Sequence, residues 1–214
     1  MAGESPLQPT GNPLVMLNPM QILKLLLLPA VMPGVLPAAE VVHSADAATG
    51  LRSWRLVEGS LEVELVQRLP DQTRGFFMAR GFPAAIADEI AVSCIFQTII
   101  RNTGGEPGNH KVSVDLAQWR VIRADGKQGI RLKEPWIASW PETAVGEAPR
   151  LAFQWALFPT QQEFLADDYN WGMTAFGLPP GAVFDLDIVW QEDGKAHAAR
   201  IPAIECAPDV ERLL

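Results

Sequence analysis

Leu151-Ala152-Phe153-Gln154-Trp155-Ala156-Leu157 and, further on, Phe184-Asp185-Leu186-Asp187-Ile188-Val189-Trp190 decide the fold reading. In the first segment Leu151, Phe153, Trp155 and Leu157 alternate with Ala or Gln; in the second Phe184, Leu186, Ile188 and Trp190 recur at the same period. A period of two belongs to a strand with one buried face, so both segments are expected to be strands. Between them, Pro159 to Gly181 holds the run Asp167-Asp168-Tyr169-Asn170-Trp171-Gly172-Met173. A connection of that length in a compact domain is usually functional or carries short elements of its own, and it is the first place to look for a site.

The neighbouring segments extend the β reading. Leu61, Val63 and Leu65 alternate with Glu62 and Glu64, predicting a half-solvated strand to about Leu69. Asp71 as N-cap predicts a short helix over Gln72–Arg80, and Gly81 fits the left-handed position after it. Pro83 opens a second helix to about Val92, with Ile86, Ala87, Ile90 and Ala91 as its apolar stripe. The two read as a helical hairpin over residues 71–92, laid on a sheet.

Cys94 to Arg101 is apolar on both faces, as in a central strand covered on both sides. Val112 to Leu116, Trp119 to Ile122, and Gln128 to Lys133 after the Asp125-Gly126 turn are further strands, and Trp136 to Glu147 reads as irregular. Glu192-Asp193-Gly194-Lys195 turns the chain so that Ala196 to Ile201 pairs back on the strand ending at Trp190. About seven short strands with one helical pair predict a mainly β fold, an antiparallel β-sandwich of immunoglobulin-like type. An open antiparallel sheet with helices on one face is the competing arrangement.

Composition narrows the class. The chain has 214 residues, 48% of them hydrophobic and 20% charged, enough for a single domain with a proper core. A formal net charge of −8 and the lack of a Lys/Arg cluster remove the electrostatic footprint of nucleic-acid binding and disfavour an anionic membrane surface. Ile22 to Leu36 is an apolar run broken by Pro29 and Pro33, too short for a spanning helix and suited to an export signal. A translation start at Met16 or Met20 would shorten the cation-free leader before it. Ala38-Ala39 offers one cleavage point and Ala45-Asp46-Ala47 a closer A-x-A match. The expected division is therefore a signal and leader over 1–47, with the sandwich over 48–214, in a periplasmic or secreted protein. In such a compartment the chain's two cysteines, Cys94 and Cys206, are expected to pair as a disulfide.

No G-x-S-x-G elbow and no H-E-x-x-H occurs, and the three histidines, His43, His110 and His197, lie far apart in sequence. The chain therefore reads as non-enzymatic, with no catalytic residue assigned and no cofactor expected. Copper is the alternative cofactor: Met78, Met173, His110 and His197 supply thioethers and imidazoles suited to Cu(I), though without a local ligand motif. Asp167 and Asp168 beside Tyr169 and Trp171 combine carboxylates with ring faces, as a sugar site would. Asp185 and Asp187 share a strand face, which reads as solvated.

Seven tryptophans are the compositional oddity. Trp54, Trp119, Trp155 and Trp190 fall in strand patterns and read as core. Trp136, Trp140 and Trp171 fall in loops, where they either mark a binding surface or fold back into a second small core. The expected binding residues are Trp136, Trp140, Asp168, Tyr169, Trp171 and Met173. The function expected is that of an accessory protein binding an envelope protein partner, with copper handling or carbohydrate binding as alternatives.

Overall fold

The computed structural model describes residues 39–104 and 110–210. The apolar run, Met16 and Met20 lie outside the described residues. Among the described residues Glu40–Ala45 form a strand, ahead of Ala48.

Strands β1 (Glu40–Ala45), β2 (Arg52–Glu58), β3 (Leu61–Gln67) and β4 (Ile95–Asn102) form a consecutive meander, completed by β9 (Tyr169–Ala175) in the order β1-β2-β3-β4-β9. The second sheet is built on β10 (Val183–Glu192) and its hairpin partner β11 (Lys195–Glu205). On its other edge β10 pairs first with β6 (Arg120–Arg123) and then with β5 (Lys111–Asp115). A 3-10 turn over Leu116–Gln118 separates these two halves of one interrupted strand. β7 (Gly126–Gly129) pairs β6, and β8 (Gln161–Leu165) pairs β5.

The two antiparallel sheets form a sandwich. Trp54, Leu56, Val63, Leu65, Phe96 and Ile100 from the first sheet share a core with Val114, Val121, Phe164, Leu186, Ile188 and Trp190 from the second. An immunoglobulin likeness does not follow from this strand order, which begins with a four-strand meander. Cys94 and Cys206 form a disulfide, with Cα atoms 5.2 Å apart.

The other face of the first sheet carries a helical layer. Helices α1 (Pro70–Met78) and α2 (Ala84–Ala91) are the hairpin expected from sequence. Pro70 occupies the first turn, so the helix starts ahead of Asp71. Gly81 adopts a φ of 85°, which only glycine takes without cost, and Phe82 N–H reaches back to Phe77 O at 3.2 Å. β4 shows why its sequence is apolar on both sides: Phe96 faces the sandwich core, whereas Ile95 packs with Phe77, Ala87, Ile90 and Phe153 beneath the helices.

Four expectations are corrected. Gln128 to Lys133 is strand only as far as Gly129, and Lys133 opens a helix. Leu151 to Leu157 is not a strand but lies in and just after α4 (Glu147–Ala156). Its residues at spacing two are equally two pairs at spacing four, and the helix buries Phe153 and Leu157 while turning Leu151 and Trp155 outward. Trp136 to Glu147 is not wholly irregular, since α3 (Lys133–Ser139) carries Trp136 and ends at Trp140. Pro159 to Gly181 is not one long loop but contains β8 and β9, one in each sheet. No helix among the described residues is long and apolar enough to cross a membrane.

Candidate binding cleft

Gly146 is the N-cap of helix α4, with Glu147 in the first turn and Pro149 where its missing N–H leaves no bond unmade. Phe153 and Leu157, four residues apart, anchor it in the helical core. Leu151 and Trp155, also four apart, point away: Leu151 is 52% and Trp155 80% exposed. Lys133 closes the end of the helix by donating from Nζ to Gln154 O at 3.2 Å and Leu157 O at 3.5 Å. Burial pushes the Lys133 ammonium below the usual lysine range, with Glu134 opposing the shift.

β9 continues the surface. Residues at spacing two share a face of a strand, and Tyr169, Trp171 and Met173 do so here. Met173 is buried under the helices, whereas Trp171 and Tyr169 extend past their cover, 64% and 61% exposed. Gly172 allows the strand to approach the chain after α4 closely: a Cβ there would lie 2.7 Å from Phe158 N. That approach lets Phe158 N–H donate to Met173 O at 2.8 Å. Asn170 fixes the rim, accepting from Trp171 N at 2.8 Å and donating to Gln162 Oε1 at 2.6 Å.

The result is a cleft of about 260 Å³ lined by Lys133, Gln154, Trp155, Leu157, Pro159, Asn170 and Trp171. Its walls are indole rings, and its polar groups are amides and backbone-bound ammonium rather than free charges. This chemistry suits a partner that offers apolar side chains or ring faces. A polar groove on the outer face of the second sheet is larger, about 430 Å³, but much of its hydrogen-bonding capacity is used internally. Asp115 there accepts from Ala117 N, Gln118 Nε2 and Gln161 Nε2.

The residues singled out in sequence fall into separate places. Trp171 and Tyr169 are exposed, and the Arg101 guanidinium stands 5.3 Å from the Tyr169 ring. Trp136 and Trp140 are buried, 2% and 6% exposed, in the second core, so they form no free surface. Trp140 packs on Phe153 at 4.9 Å and on Phe82 at 5.4 Å. Arg150 braces them from α4, donating to Ile137 O and Trp140 O at the end of α3 and to Val145 O just ahead of α4. Met173 lies in the same core. Asp168 closes the β8–β9 turn by accepting from Leu165 N at 2.9 Å, beside Asp167 at a φ of 65°.

His110 and His197 are each occupied. His110 Nδ1 is 2.9 Å from Asp193 Oδ2. Its Nε2 lies 3.1 Å from Glu192 Oε1, too poorly aligned to count as a hydrogen bond. Ser60 Oγ donates to that same Glu192 oxygen at 2.7 Å, so a carboxylate rather than the imidazole takes the serine proton's bond. His197 stacks on Trp190 at 5.4 Å. Asp187 is held below the usual carboxylate range by the hydrogen bond from Arg200, with Lys127 adding to it. No group of three or more His, Cys, Asp or Glu suited to a metal ion occurs among the described residues.

Sequence reasoning missed Trp155, Leu151, Lys133 and Asn170. The usable signal was Gly146-Glu147 with Pro149, a helix start placed ahead of Leu151.

Compared with protein-family models, with curated proteins and with solved structures, the chain gives no match.

Proposed function

We propose that this protein is an exported, non-enzymatic accessory domain that binds an envelope protein through the Trp155–Trp171 cleft. One observation carries the reading. The scaffold buries Trp54, Trp119, Trp136, Trp140 and Trp190, yet leaves Trp155 and Trp171 on one cleft, 80% and 64% exposed. Large exposed apolar side chains grouped together mark interaction sites in soluble proteins, and tryptophan is enriched among residues that dominate binding energy. The Cys94–Cys206 disulfide is compatible with an oxidising compartment.

The test is co-purification from the native cell envelope, comparing the tagged chain with a Trp155→Ala/Trp171→Ala double variant. A defined partner held by the former and lost by the latter, with both equally stable, supports the reading. Identical recoveries from the two chains would remove it.

The cleft also favours a carbohydrate as a second reading, because two ring faces beside the Gln154 and Asn170 amides are the chemistry that holds a sugar. Glycan-array binding that vanishes in the double variant would replace the protein partner by a glycan. Copper handling has less support, since Met173 is packed in the helical core and His110 is engaged by carboxylates. Equilibrium dialysis with Cu(I) tests it directly.

A further inference from the structure

We infer that the mature chain begins at Ala39 or Glu40, processed next to Ala38-Ala39 rather than within Ala45-Asp46-Ala47; this rests on the export reading above.

By sequence alone Ala45-Asp46-Ala47 is the closer match to a small-x-small cleavage site. In the fold those residues are the corner between β1 and β2. Asp46 Oδ1 accepts from Ala48 N at 3.1 Å, Thr49 N at 2.7 Å and Thr49 Oγ1 at 2.8 Å, while Asp46 N donates to Leu51 O at 2.9 Å. These bonds to Thr49 hold the Asp46 carboxyl below the usual range. Cleavage after Ala47 would remove the whole of β1.

β1 is a working part of the sandwich. It pairs with β2 in unbroken register from Glu40↔Val57 to Ala45↔Arg52. Ala39 and Val41 pack against the main core, and the His43 ring lies 6.0 Å from Trp54, itself 2% exposed. Without β1, the backbone groups of β2 that it pairs would be left unpaired at a sheet edge, a template for association. Part of the cover over Trp54 would go with it. Because Ala39 itself touches the core, the retained chain extends to that residue or its neighbour.

The full chain with a C-terminal tag is expressed in a Gram-negative host, recovered from the envelope and medium, and read by intact mass and N-terminal sequencing. Termini at Ala39 or Glu40 are expected. A terminus at Ala48 would overturn the inference while leaving the export reading in place. A chain found only uncleaved would overturn both. A companion pair, started at Ala39 and at Ala48 behind one heterologous signal, gives a second readout. The shorter chain should melt at least about 5 °C lower, and equal melting temperatures would show that β1 is dispensable.

Discussion

Trp155, on the outward stripe of helix α4, and Trp171, on edge strand β9, line one cleft. Neither is needed to fill a core. Truncating either to alanine should therefore change stability by no more than about 0.5 kcal/mol and weaken partner binding by about tenfold or more. Thermal melts alongside a binding titration separate the two effects. A large drop in melting temperature would move these rings from the binding surface to the fold.

Trp136 and Trp140 should behave in the opposite way. Trp136 donates from Nε1 to Glu89 at 3.2 Å and lies under the Arg131 guanidinium at 3.6 Å. Replacing either tryptophan by alanine should cost about 3–5 kcal/mol, read as a lower urea midpoint. A midpoint near that of the wild-type chain would show that the helical layer contributes little.

Gly172 is required by contact rather than by turn geometry. An added Cβ would meet Phe158 N at 2.7 Å and Phe158 Cα at 2.8 Å, both backbone atoms that cannot swing aside. Gly172→Ala should cost about 1–3 kcal/mol and loosen the wall carrying Trp171. Gly129→Ala, where nothing lies within 4 Å, is the control and should be close to neutral. Equal urea midpoints for the two variants would contradict the close approach.

The Cys94–Cys206 disulfide spans a sequence separation of 112 residues. Replacing both cysteines by serine should lower stability by up to about 4–5 kcal/mol in the chain-entropy account. Urea unfolding of the wild-type chain with and without reductant checks this independently of the mutations. A midpoint insensitive to both would mean that the linkage restrains little in the unfolded chain.

Glu62 gives the expected acid limb. Its side chain is 10% exposed, bonded by Arg55 and lying 3.2 Å from Arg101 Nε. The Arg55 hydrogen bond, working against burial, holds its carboxyl below the usual glutamate range. A carboxyl depressed in the folded state stabilises fully above its unfolded value, near 4.3, and loses that contribution as pH falls through the lower folded value. Glu62→Gln should cost about 1 kcal/mol at pH 7, discounted because both arginines are partly exposed, and much less at pH 3. A stability difference constant from pH 7 to pH 3 would remove Glu62 as the source.

Where punctuation and period agree, the fold was legible. Pro70, Gly81 and Pro83 bracket two helices, the two-sided apolar run of β4 announces cover on both faces, and Asp193-Gly194 turns β10 into β11. The site was only half legible. Leu151, Phe153, Trp155 and Leu157 satisfy spacings of both two and four, and nothing in the segment says which pair is buried. That ambiguity placed Trp155 in a core and hid the cleft. β9 escaped although Tyr169, Trp171 and Met173 alternate with Asn170, Gly172 and Thr174: the run follows Asp167-Asp168, which reads as a turn, and Gly172 contributes no side chain. β1 was masked by its neighbourhood, since Ala45-Asp46-Ala47 reads as a processing signal and is also a turn.

The bond between Cys94 and Cys206 has a further consequence for how the molecule comes apart. Helices α3 and α4, both cleft tryptophans and every connection from β4 to the end of β11 lie inside the covalent ring it closes. A protease that nicks any one of those connections opens the ring without detaching a piece. The two fragments should travel as one species on a non-reducing gel and separate once thiol is added.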